Sequence, residues 1–417
     1  MRTRFLMCST AITLFAALAM PLRLAAQDNQ NHNHKHHHYQ VIDMGTFGGP
    51  ASSVNETFPF VNGHGDINGR GSVVGSAATS TATTKTSNPL VCGGLGGIPF
   101  VSHAFEWHKR VVTDLGALPG ADNCSGSGMI NGSGEVVGTS ENGEIDPLTG
   151  VNQSRAVRWK NGEIKDLGSL GGNQNGANGI NDCGEIVGFS LNTTPDPFSI
   201  FDLLLGSSNG TQTRAFRWHH GHMQDLGTLG GPDAAASLVN ERGQIAGASY
   251  TSSMSNTGCF PLTTDPFLWE DGKKMTDLGT LGGTCGSPLA LNNHGQVVGF
   301  SNLAGDQTFH PFLWPGKGGK MRDLGTLGGS SGEANAINEA GEVVGFATNT
   351  GEATLAFLWR NGEMTNLGTV DGDPCSTGNA INSKRQVVGI STATCNFSTG
   401  RRAFLWENGS MVDLNAP

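Results

Sequence analysis

Residues 323–368 read DLGTLGGSSGEANAINEAGEVVGFATNTGEATLAFLWRNGEMTNLG, and the order of elements in this stretch decides the fold. It opens on Asp-Leu-Gly, passes through Ile337-Asn338 to Val343-Val344-Gly345, reaches Phe357-Leu358-Trp359, turns at Asn361-Gly362 and closes on Asn366-Leu367-Gly368. Outward from it, every tryptophan of the chain occupies the same place: Trp107, Trp159, Trp218, Trp269, Trp314, Trp359 and Trp406, spaced by 52, 59, 51, 45, 45 and 47 residues. The segment after each tryptophan ends at Asp114, Asp166, Asp225, Asp277, Asp323, Asn366 and Asp413. A turn asparagine recurs between units as Asn68, Asn131, Asn181, Asn240, Asn292, Asn338 and Asn382. Three independent markers each count seven, which is the signature of a repeat architecture.

Each unit converts into four strands: a, ending at the asparagine; b, carrying Val-Val-Gly; c, carrying Phe-x-Trp; and d, ending in Asp-Leu-Gly. Asn at the first place of the a–b turn and Gly at the fourth suit a type I turn. Asn161-Gly162, Asp271-Gly272, Asn361-Gly362 and Asn408-Gly409 read as hairpin turns between c and d. Alternation puts Phe357 and Trp359 on one face and Leu358 on the other, so both faces are apolar and each sheet must lie between two others. Arg158 and Arg217, at the middle position, predict a partly exposed outer strand in the earlier units. The reading is an all-β chain, a seven-bladed β-propeller of four-stranded antiparallel repeats. From the Gly of Asp-Leu-Gly to the next turn asparagine the count is 13 in four units, which predicts a fixed crossover and a closed, monomeric ring. Residues 39–45 (YQVIDMG) read as an eighth d-type strand, either closing the ring beside the last unit or shifting the blade borders.

The 63 glycines are about 15% of the chain, twice ordinary usage, and charged residues are only 14%. With 36% hydrophobic residues and no three-residue glycine period, collagen and low-complexity coil are excluded. Arg2 and Arg4 precede an apolar run over 5–20, then Pro21, Ala25 and Ala26, which reads as a secretory signal peptide over 1–26. Cys8 sits too early in that run for a lipoprotein. Residues 27–38 read as a histidine-rich flexible linker and 39–417 as a single repeat domain, secreted to an extracellular or periplasmic space. The mature chain then carries 22 basic against 35 acidic residues, which argues against nucleic acid as a partner. No later segment approaches 18 continuous apolar residues, so no membrane span is expected.

The recurring DLGTLGG, followed by AINEAGEVVG and then HAF or AFLW, resembles the bacterial extracellular HAF-repeat family over nearly all of residues 41–415. The resemblance implies secretion and a repeat architecture, and brings no defined activity or catalytic residues. His103 is the one place where His-Ala-Phe stands literally; other units have Pro-Phe-Leu-Trp or Arg-Ala-Phe-Arg-Trp, so this histidine is replaceable.

Several patterns invite a chemical reading. The repeated aspartate could be a ring of carboxylates for a metal or sugar, but Asn366 accepts hydrogen bonds without carrying charge, so an acceptor role is favoured. Residues 66–71 (DINGRG) echo a calcium loop, yet Arg70 holds the fifth place and the acidic twelfth ligand is missing. Gly-x-Ser-x-Gly occurs at 206–210 and 328–332 without a following helix. His32, His34, His36, His37 and His38 can chelate divalent transition metals adventitiously, as a loose cluster and not a shaped site. Outside the leader the cysteines number seven. Cys92, Cys259 and Cys395 fall in b–c loops and Cys124, Cys285 and Cys375 in d–a loops, which emerge on one face. The expected disulfides are therefore Cys92 with Cys124, Cys259 with Cys285 and Cys375 with Cys395, leaving Cys183 a thiol. The b–c loops of the first four units, 76–102, 139–154, 189–213 and 248–265, are the longest and mark a binding sector, where Phe198, Phe201, Tyr250 and Phe260 could stack on a ligand. The function expected is an extracellular binding or scaffold module for a polymer or protein, needing no cofactor. The rival is a glycan-acting hydrolase or lyase on a propeller scaffold, and the absence of a unit-specific catalytic cluster favours the first.

Overall fold

A computed structural model describes residues 42–54, 66–92, 99–199, 201, 205, 210–254, 262–395 and 400–415. The leader, the histidine run 32–38, Cys259 and Phe260 lie outside the described residues. Strands form five four-stranded antiparallel sheets and one eight-stranded sheet. The latter is units four and five joined by a single parallel contact, Thr264 against Cys285. All seven repeats thus supply four strands, and each sheet packs against the next in chain order.

The sixth unit shows why the repeat reads as it does. Its strands are Gly328–Ile337, Val343–Asn349, Thr354–Arg360 and Glu363–Gly368, in the order a-b-c-d. Val343 faces Trp359 and Gly345 faces Phe357. Strand a slips by one residue between Ala334 and Ala336, a bulge opposite Gly345. A Cβ on Gly345 would run into the carbonyl oxygen of Glu333, and the other six Val-Val-Gly or equivalent glycines meet a strand-a carbonyl in the same way. That close approach is what the third residue of the motif is for. Asn361 and Gly362 have φ of 54° and 92°, the left-handed pair of a type I′ hairpin turn.

The turn asparagines join the units. Asn338 Oδ1 accepts the N–H groups of Ala340 and Glu342, closing its own a–b turn, while its Nδ2 donates to the carbonyl of Asn382 in the next unit at 3.1 Å. The same donation runs from Asn68 to Asn131, Asn131 to Asn181, Asn181 to Asn240, Asn240 to Asn292 and Asn292 to Asn338, at 2.9–3.1 Å. Six steps therefore thread seven units.

The core lies between sheets and not within them. At the junction of units six and seven, Val344, Ala356, Leu358 and Leu367 of one sheet meet Val387 and Phe404 of the next, with Trp406 at the edge. The arginines Arg158 and Arg217 are half-buried and cover Trp218 and Trp269 of the following unit at 5.4 and 5.7 Å from the ring centres, while pairing with Glu135 and Glu185. They are inter-sheet residues, which corrects the expectation of a partly exposed edge. The last sheet differs: Val388 is 41% exposed where its counterpart Val344 is 0%, and Ala403 is exposed where Ala356 is buried. The eighth strand is not observed in residues 42–46, which carry no strand except an isolated contact further on at Phe47, and the seventh unit has its own d strand, Ser410–Asp413. Within the described part of that stretch, Asp43 Oδ1 accepts the Gly45 N–H at 2.9 Å.

Asn240→Asp keeps the acceptor that closes the turn onto Arg242 and Gln244 but removes the donor to Asn292. Urea unfolding of this variant is expected to show a loss of about 1–3 kcal/mol; an unchanged midpoint would mean that the ladder contributes nothing to stability.

Candidate functional site

The face carrying the b–c connections is uneven. Strand b runs 10, 10, 11 and 10 residues in units one to four and only 7, 7 and 6 in the rest. After a register shift the long ones pair again with strand c, through Ala82 with Phe100, Ile145 with Asn152, Asp196 with Gly210 and Met254 with Leu262. The segments expected as loops are thus largely raised two-stranded ribbons. The sequence does this locally with polar residues at the shift: Asn142 Oδ1 takes the N–H of Glu144, and Asn192 Oδ1 that of Thr194.

Neighbouring ribbons are pinned together by a buried polar network. Asn88 donates from Nδ2 to the carbonyl of Asn152 and to Gln174 Oε1, both at 3.0 Å. Gln174 Nε2 reaches Asp146 Oδ2 at 3.1 Å, and Asp146 also accepts from the Leu148 N–H and the Thr149 hydroxyl. The carboxylate of Glu141 accepts the backbone N–H groups of Asn88 and Cys124. Burial pushes the Glu141 carboxyl up, against the pull of those two donors. The Cys92–Cys124 disulfide closes beside it, with Cα atoms 5.3 Å apart. Cys92, Cys124 and Glu141 are close enough to hold a metal ion, but both sulfurs are spent on each other.

The expected site residues divide. Phe198 is 38% exposed on the third ribbon. Phe201 is buried against Phe189, ring centres 5.0 Å apart, so it anchors the ribbon and presents nothing to a ligand. Tyr250 is fully buried near Asp233 and Asp196, where burial drives its hydroxyl upward, and it too is removed from the surface. Phe260 lies outside the described residues. Sequence reasoning missed Ile145 and Leu148, two exposed aliphatics on the second ribbon; the signal was their place between the turn residues Asn142-Gly143 and Thr149-Gly150.

Two expected disulfides are present, Cys92–Cys124 and Cys375–Cys395, and Cys285 is also disulfide-bonded. Cys183 is an exposed thiol on the opposite face, lining a cavity of about 390 Å³ with Asp182, His219 and His220. Disulfides persist in oxidising compartments. No described helix is long and apolar enough to cross a membrane.

The repeated Asp is an acceptor: the N–H of the Gly two residues on donates to Asp114, Asp166, Asp225, Asp277 and Asp323 at 2.7–2.8 Å, and Asn366 serves equally at 2.8 Å. What the repeat pattern concealed is the partner. His103, Arg155, Arg214 and His310, each on strand c, pair with Asp114, Asp166, Asp225 and Asp323 at 2.9, 3.7, 3.0 and 2.9 Å. Burial opposes ionisation of Asp114, yet His103 and the Gly116 N–H hold it below the usual carboxylate range. In unit four the corresponding residue is Asp265, so two carboxyls meet; burial and the Asp277 charge push Asp265 up to about 7. The calcium-like stretch is an ordinary a–b turn, Asn68 Oδ1 taking the N–H groups of Arg70 and Ser72. The Gly-x-Ser-x-Gly at 328–332 runs along strand a and forms no nucleophile elbow; 206–209 lie outside the described residues.

No family model matches the chain, and no curated protein matches it. Among solved structures, the β-propeller domain of the Trilobed protease from Pyrococcus furiosus is similar at 12% identity and a TM-score of 0.44, covering 76% of this chain and 91% of that one. An acylaminoacyl peptidase of Pyrococcus horikoshii (11% identity, TM-score 0.41, 83% of this chain) and a puromycin-hydrolysing peptidase of Mycobacterium tuberculosis (11%, 0.41, 76%) are also similar. The chain spans 50% and 49% of those two peptidases.

Peptide mapping without reduction is expected to return Cys92 linked to Cys124 and Cys375 linked to Cys395, with Cys183 alkylated directly. Changing Cys92 and Cys124 together to Ala should lower unfolding stability by about 2–4 kcal/mol; a variant as stable as the parent would show that the network alone holds the ribbons.

Proposed function

We propose that the chain is a secreted seven-bladed β-propeller of the HAF-repeat kind, acting as an extracellular binding or scaffold module whose ligand docks on the ribbons of units one to four. One observation carries this reading: the ribbons of units one and two are locked to each other and to the start of unit three by the Asn88–Gln174–Asp146 network and the Cys92–Cys124 bridge, while the second and third ribbons leave Ile145, Leu148 and Phe198 exposed. A frame ordered in advance lowers the ordering cost of binding, and exposed apolar side chains on it are what a partner would cover. A polymer or protein ligand suits a surface that spans several ribbons, and none of this calls for a cofactor. The histidine run at 32–38 would chelate transition metals only incidentally.

Ring closure belongs to the same proposal. Val388 and Ala403 of the last unit occupy positions that the earlier units bury against a neighbour, and the first unit offers Val73, half-buried where Val136 and Val343 are fully buried. Closure would bring Asn382, whose Nδ2 now donates to Gln386 of its own unit, to the carbonyl of Asn68.

Two measurements test the reading. On an array of glycans and extracellular proteins scored for both binding and turnover, binding is expected, and Ile145→Ser with Leu148→Ser and Phe198→Ser should weaken it roughly tenfold or more without changing unfolding stability. Unchanged affinity would move the site elsewhere, and turnover would favour the glycan-acting hydrolase. For closure, Asn382→Asp should cost as much as Asn240→Asp; a cost within about 0.5 kcal/mol of zero would mean an open arc.

A further inference from the structure

At the junction of strands c and d, a histidine or arginine is set against the strand-d carboxylate in four units. Where strand d carries Asp114, Asp166, Asp225 or Asp323, strand c carries His103, Arg155, Arg214 or His310 against it. Where strand d carries the neutral Asn366, strand c carries Leu355. Unit four breaks the rule, with Asp265 against Asp277. The register is the same, since Phe267 faces Asp277 as Phe216 faces Asp225, so Asp265 occupies the place of Arg214.

The surroundings make this more than an acidic pair. Asp265 is 8% exposed, and its Oδ1 is buried with no hydrogen-bond partner. Asp277, whose charge acts on it, is exposed and already accepts the Gly279 N–H at 2.7 Å. A buried carboxylate oxygen without a donor costs on the order of 1–3 kcal/mol, more when charged, and is the kind of group that a missing partner satisfies. In unit three the guanidinium of Arg214 fills this space and reaches on to the carbonyl of Pro232 in the link to the next unit. The corresponding residue of the next link is Thr284, next to Cys285, whose strand makes the parallel contact with Thr264.

We propose that a divalent cation of the calcium type binds between Asp265 and Asp277, taking the place of the histidine or arginine that units one, two, three and five set against the carboxylate. The donors are hard oxygens, two carboxylates at the entrance to a backbone link, which suit Ca²⁺ or Mg²⁺ and not a thiol- or imidazole-seeking metal. Because the pair adjoins the parallel contact that fuses units four and five, the ion would stiffen that joint and the fourth ribbon above it.

The test uses the full chain stripped of metal with chelator and unfolded by heat at pH 7.5, with and without 5 mM CaCl₂, against NaCl of equal ionic strength. Calcium is expected to raise the midpoint of the parent, and calorimetric titration to return about one site per chain. Asp265→Arg, which restores the cation of unit three, should be as stable without calcium as the parent is with it and should lose the calcium response. Asp277→Asn keeps the turn acceptor, as Asn366 does in unit six, and should lose the response while remaining folded. A parent that ignores calcium, its pair then neutralised by a shared proton, overturns the proposal. So does a calcium response that persists in both variants, which would place the ion elsewhere.

Discussion

The donation from each turn asparagine to the carbonyl of the next is the constraint on which the architecture rests. An a–b turn alone would be satisfied by Asp, whose oxygen accepts the same two backbone N–H groups. The repeat never uses Asp there, because only the amide also donates, and its donor is directed across the gap between sheets. One side chain therefore sets both the local turn and the distance to the next unit. The glycine of Val-Val-Gly does the complementary work on the same sheet, admitting the bulged strand a that aims the turn at its neighbour.

With spacing fixed at the turns, the apolar residues need only repeat. The gaps are filled by closely similar sets, in three of them a Val, an Ala and a Leu from one sheet against a Val or Ile, a Phe and a Trp from the next. No sheet has a core of its own, so stability is a sum of interfaces, and the cost of an unmade interface falls on the end units. That is where exposed Val388 and half-buried Val73 are found, against fully buried counterparts in the units between.

Much of this was legible in the chain. Seven copies of three markers gave the strand order, and the alternation of loop types by face gave two disulfides directly, because face and order are properties of the repeat itself. The rest depended on contacts the period does not encode. Tyr250 and Phe201 looked like ribbon-tip aromatics, but burial there is decided by contacts within the unit, Phe201 against Phe189 and Tyr250 near Asp233 of its own strand a. Residues 39–45 matched strand d in composition, yet the described part, 42–45, forms no strand, and the last sheet has its own fourth strand, Ser410–Asp413. Ile145 and Leu148 were hidden because an aliphatic residue in a turn-rich segment reads as buried until its ribbon is seen to stand clear of the sheet.

The histidine of the His-Ala-Phe triplet illustrates how a repeat should be read. Judged alone it is dispensable, since Arg155, Arg214 and His310 replace it and the pattern around it barely changes. Judged with its partner it obeys a rule, because each replacement keeps a nitrogen-bearing side chain opposite a carboxylate, and both members disappear together at Leu355 and Asn366. These pairs are partly exposed and contribute little stability singly; what selects them is the penalty for leaving one charge of the pair half-buried and unmatched. Seven copies in one chain act as internal controls on one another. A unit that departs from a rule the others obey identifies a local change in chemistry, whereas a unit that merely swaps one cation for another does not.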